Sequence, residues 1–140
     1  MNTADKGTFS PRRKPPLDVR VVAYYLYLLG FLNLALALLL GSGIAKPVGP
    51  VSILAGTIQI TGGLTLSLYV LCTGVWDLVC AWGLVRRAEF AWWLSLMFQI
   101  YWSIEWVVTH AKYPLAAEIC IAINTAIVVW LLFRRRLYLG

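Results

Sequence analysis

Long apolar runs separated by short polar links make up most of the chain. Four of them, at residues 21–41, 63–85, 91–109 and 115–133, are close to the roughly 20 residues that a helix needs to cross the ~30 Å hydrocarbon core of a bilayer. Spanning strands would be shorter and strictly alternating, and lipid tolerates no open sheet edge. The pattern predicts an all-α fold, a four-helix transmembrane bundle over residues 21–140, preceded by a polar tail at 1–20 that contains three prolines.

The second apolar stretch is longer than one span requires. From Val51 to Val85 it runs for 35 residues, about 52 Å as a single helix. The paired glycines Gly62 and Gly63 are the natural break, since glycine weakens a helix interior. The expectation is a short interfacial or re-entrant helix at Val51–Thr61, before helix two; the competing reading is one helix that extends beyond the membrane. The link AKYP at 111–114 is so short that helices three and four must be antiparallel neighbours, with Pro114 in the first turn of helix four.

Composition narrows the environment further. The chain is 61% hydrophobic and 13% charged, against about 25% charged in a typical soluble domain. It lacks the charge to coat a water-facing surface. The net charge of +6 is explained by topology. If all four runs cross, Lys6, Arg12, Arg13, Lys14, Arg20, Arg86, Arg87, Arg134, Arg135 and Arg136 share one side, and only Lys46 and Lys112 fall on the other. Basic residues are biased toward the cytoplasm, so a multi-pass protein with both termini cytoplasmic is expected. Anionic lipid headgroups suit this charge better than nucleic acid, for which no basic patch interleaved with aromatics exists outside the spans. The GSGIA sequence at 41–45 resembles a small-residue cleavage site, but the apolar run before it exceeds the ~7–15 residues of a signal-peptide core, which favours an uncleaved span. Cys72, Cys80 and Cys120 lie within the runs without a CxxC spacing and read as small packing residues. Order in the tail, which has little apolar surface of its own, would require a protein partner.

The polar positions inside the spans carry the candidate chemistry. Asp77 shares a helical stripe with Gly63, Ser67, Gly74, Ala81 and Leu84, mostly small residues of the kind that let helices approach closely. Helix one has a matching stripe: Ala23, Tyr27, Gly30, Asn33, Ala37 and Gly41. Helix three offers Ser95, Gln99, Trp102 and Trp106, and helix four offers Ala117, Cys120 and Asn124. Counting inward from the flanking charges puts Asn33, Asp77, Gln99 and Asn124 about 14–20 Å deep, one polar side chain per helix in a central layer. Two readings stand. The four can hydrogen-bond across helices and fix one packing arrangement, or Asp77 can be an ion or proton site, as intramembrane carboxylates often are.

A second group, Glu105, His110, Lys112 and Glu118, gathers near the turn between helices three and four. Solvated ion pairs are one reading of it. Ligation of a metal or pigment by His110 is the other, and a single histidine without a spaced partner speaks against it. Neither a metal nor a cofactor is expected. Phosphate-binding glycine loops, HExxH and GxSxG are all absent from the sequence, so no enzyme is predicted.

The segments AWGLVRRAEFAWWLSLMFQIYW and INTAIVVWLLFRRRLYLG resemble a broad group of small four-span bacterial membrane proteins of unknown function. Gly83, Leu84, Arg86, Arg87, Ala91 and Trp92 match the hinge of that group, and Asn124, Ile127, Val128, Leu131 and Leu132 match its closing aliphatic run. The resemblance covers about the last 60 residues and implies a four-span fold in a bacterial inner membrane, with no activity attached. The expected function is a non-catalytic accessory subunit packed among other subunits of a larger membrane complex, respiratory or photosynthetic assemblies being examples. The alternative is a small channel or transporter, a homo-oligomer that uses the Asp77 layer.

Overall fold

The structure, a computed structural model, describes residues 15–47 and 49–139. Four long helices carry the fold: α1 (Leu17–Gly41), α2 (Gly63–Val85), α3 (Glu89–Thr109) and α4 (Pro114–Phe133), followed by a short α5 (Arg136–Leu139). Three of them, α1, α2 and α4, are long and apolar enough to cross a membrane. The α3 helix has comparable length, but four tryptophans together with Ser95, Gln99, Ser103 and Glu105 make it less apolar.

The segment at 51–61 corrects the expectation of a short helix. It forms a β-hairpin, β1 (Val51–Ile53) paired antiparallel with β2 (Ile58–Ile60), Val51 lying opposite Ile60. The physical reason is legible in hindsight: Val51, Ile53, Ile58 and Ile60 alternate with Ser52 and Gln59, a period of two that suits a pleated strand. The connecting turn puts Leu54, Ala55 and Gly56 in the left-handed region, at φ 52, 54 and 84°, which only Gly56 adopts without steric cost. Ile60 anchors the hairpin by packing with Leu40 and Leu66 at the ends of α1 and α2.

Helix α1 begins four residues earlier than the apolar run suggests, directly after Pro16. Of the expected tail, the first fourteen residues lie outside the described residues, and the proposed ordering of that tail lies with them. Asp18, in the first turn of α1, accepts hydrogen bonds from Trp130 Nε1 at 2.9 Å and Arg134 Nε at 2.6 Å. Charge at a helix start also favours an acid there.

The tightest packing is between α1 and α2. A side chain added at Gly74 would stand 2.9 Å from the Gly30 carbonyl, and one at Gly30 would stand 2.7 Å from Leu78. The two backbones therefore touch, which is what small residues on facing stripes permit. Ser67 Oγ reinforces the pair by donating to the Ala37 carbonyl at 2.6 Å. Helices α3 and α4 form the second pair, tied at the arginine-bearing end by Trp92 Nε1 donating to the Leu131 carbonyl at 2.8 Å. The α2–α3 contact joins the two pairs, with Gly83 packed directly on Ala91. The α5 turn folds back so that the Tyr138 hydroxyl reaches the Leu84 carbonyl.

Candidate functional site

The two helix pairs leave a central cavity of about 190 Å³ between them. Each helix sends one of the layer residues to its wall: Asn33 from α1, Asp77 from α2, Gln99 from α3 and Asn124 from α4. The close α1–α2 crossing at Gly30 and Gly74 brings Asn33 near enough to donate from Nδ2 to Asp77 Oδ2 at 3.2 Å. That bond is the one side-chain hydrogen bond to Asp77 among the described residues. Asp77, Gln99 and Asn124 are buried, with 3, 4 and 7% of their surface exposed.

Gln99 and Asn124 differ from Asp77 in having no side-chain hydrogen-bond partner among the described residues. Their amides face the cavity. The one fully buried side-chain polar atom without a partner among the described residues is Ser95 Oγ, so the two amides reach accessible space, and a polar guest in the cavity could bond to them. The rest of the wall is aromatic or apolar, with Tyr25, Phe98, Trp102 and Trp106 as its rings. Phe98 and Trp102 meet edge to face, 6.0 Å between centroids. Among the described residues no Lys, Arg or His lines this space.

A second cavity, about 180 Å³, lies between the hairpin and the helix ends. It shares Trp102 and Trp106 with the central one, so those two indoles form the partition. Glu105 lines this outer space, 5% exposed, and accepts a hydrogen bond from the Ala55 backbone N–H at 2.8 Å. It thereby holds the turn that carries the left-handed residues.

The outer-face group divides accordingly. Glu105 points inward to the hairpin, apart from the other three residues. His110 and Glu118 approach to 3.5 Å with both side chains largely exposed, and the Lys112 ammonium sits 5.3 Å from the Tyr113 ring. Exposed pairs of this kind contribute little stability. No group of three metal-ligating side chains occurs among the described residues.

Sequence reasoning missed the Asp18–Trp130–Arg134 network, because Asp18 was grouped with the tail. Its signal was available: an acid after two prolines is a good helix start. Tyr25, absent from the polar layer that the sequence picks out, lines the cavity eight residues before Asn33 on the same helix.

On its other side the molecule is open. Between α1 and α4 runs an apolar groove of about 830 Å³, lined by Val21, Val22, Tyr25, Ile123, Ile127 and Trp130, with Asp18 and Arg134 at its end. Comparison of the chain with known protein families, curated proteins and solved structures finds no match.

Proposed function

We propose that the chain is a four-span, non-catalytic integral membrane protein that packs as an accessory subunit within a larger membrane assembly. The observation that supports this best is the open α1–α4 side. Helix pairs in a closed bundle interdigitate along every seam, whereas here one seam is a concave apolar groove. A transmembrane helix of another subunit fills such a groove with van der Waals contact, which drives helix association in lipid. In this reading α3 is the fourth span, and the arginine-bearing end is cytoplasmic, which the placement of ten of the twelve basic residues favours. The resemblance of the second half to four-span bacterial proteins accords with an inner-membrane location. Anionic headgroups then meet Arg20, Arg86, Arg87 and Arg134–Arg136.

The second reading, a small transporter or channel, is favoured by one observation, the polar cavity around Asp77. That cavity lies within one chain, so it suits transport through each protomer better than a pore between protomers.

The experiment is purification of the full chain in mild detergent, with a photo-crosslinking residue in place of Ile123 in the groove. The subunit reading expects a stoichiometric larger partner, crosslinked from this position and not from a lipid-facing control such as Leu28. A homogeneous homo-oligomer or monomer would overturn it.

A further inference from the structure

We infer that the central cavity is a binding site for a small organic cation, an amine or quaternary ammonium compound, that reaches it from the hairpin end. The inference stands apart from the subunit reading, since every wall of the cavity belongs to one chain. Three independent features converge.

The first is the buried carboxyl group. Asp77 is buried to 3% exposure beside Asn33, and the wall offers it no cationic side chain. Intramembrane acids ordinarily pair with a base or a bound cation; here the chain supplies an amide on one oxygen and open space beside it. The second is the aromatic wall. Ligand cations are held over ring faces by the quadrupole of Trp, Tyr and Phe, and quaternary ammonium groups are the characteristic guests of such cages. Two indoles, a phenol and a phenyl ring line the same cavity as the carboxyl group. The third is the pair of amides. Gln99 and Asn124 are more than nine-tenths buried and face the cavity without protein partners, so each has a carbonyl and an N–H free for a ligand's ammonium or hydroxyl.

Size limits the ligand. The volume of about 190 Å³ is below the ~300 Å³ at which drug-sized pockets begin and above the ~150 Å³ that accepts one benzene ring. The route we infer runs through the neighbouring cavity, which shares Trp102 and Trp106 with this one and carries a second buried acid, Glu105. A cation that enters from the hairpin side meets one carboxyl group before the partition and another after it.

The test uses choline as probe, since it presents a trimethylammonium group to the rings and a hydroxyl to the amides. Isothermal titration of the purified full-length chain in detergent micelles is run with choline and with its neutral isostere, in which a tert-butyl group replaces the trimethylammonium. The expected result is saturable binding of one choline per chain, with the isostere weaker by about tenfold or more. Asp77→Asn, which keeps the bond to Asn33, should weaken choline by a similar factor without changing the helical circular dichroism. Equal binding of choline and the isostere would overturn the inference, as would absence of saturable choline binding. Complete displacement of choline by equimolar sodium would likewise overturn it, in favour of an inorganic ion site. If Asp77→Asn fails to fold, the comparison of the two ligands on the unaltered chain decides the matter.

Discussion

At the scale of single residues, Asp77 shows how much and how little a sequence says about a buried carboxyl group. Its depth and stripe could be counted from the flanking arginines, and the structure places all four layer residues on one cavity. What counting could not supply is that, among the described residues, Asn33 alone bonds to Asp77, while Gln99 and Asn124 line the same cavity without such a bond. That distinction depends on the helix rotations and on the 3.2 Å closeness that Gly30 and Gly74 permit, both of which are set by packing between segments far apart in the chain. The account expects Asp77→Asn to retain the Asn33 interaction and fold normally, whereas Asp77→Leu should destabilise the bundle by about 1 kcal/mol. Unfolding in a graded detergent–denaturant series measures both. Equal stability of the leucine variant would remove the bond from the account.

At the scale of elements, the helices were legible because a span must be apolar for about 20 residues, and α2 begins and ends where the sequence pattern puts it. The hairpin was not, because length and apolar content dominated the reading and a six-residue alternation is a weak signal beside them. Its stability also rests on partners outside the segment: Ile60 against Leu40 and Leu66, and Ala55 N–H on Glu105. Two left-handed non-glycine residues in its turn cost roughly 1–2 kcal/mol each, so the turn needs that hold. Glu105→Leu should release the hairpin, seen as faster amide hydrogen exchange at residues 51–60 with unchanged exchange in α2, while Glu105→Gln keeps an acceptor and should preserve protection. Identical protection in the leucine variant would show that Glu105 does not hold the turn. The α1–α2 crossing gives a sharper case. Gly74→Val forces a side chain against the Gly30 carbonyl and the Asn33 side chain, so it should cost about 1–3 kcal/mol and open the Asn33–Asp77 bond. Gly43→Ala, which meets nothing within 4 Å but sits at φ 75°, should cost less. A Gly74→Val variant as stable as the parent would show that the helices do not touch there.

At the scale of the whole molecule, the two-pair arrangement explains why function could not be read from the chain. A sequence shows which faces are small or polar, but not which seams close. Here α1–α2 and α3–α4 close and α1–α4 stays open, and both functional proposals come from that asymmetry: a groove for a partner helix and a cavity behind it for a small cation. Both depend on α3 crossing the membrane as the fourth wall of the cavity. The direct test is labelling of single cysteines, one at a time in a cysteine-free background, with a membrane-impermeant thiol reagent applied to intact cells. Positions 46 and 112 should react from outside, and positions 87 and 136 should react only after the membrane is permeabilised, because α3 separates 87 from 112. If positions 87 and 112 react from the same side, α3 does not cross, and the four-span account with its cavity walled by all four helices is wrong.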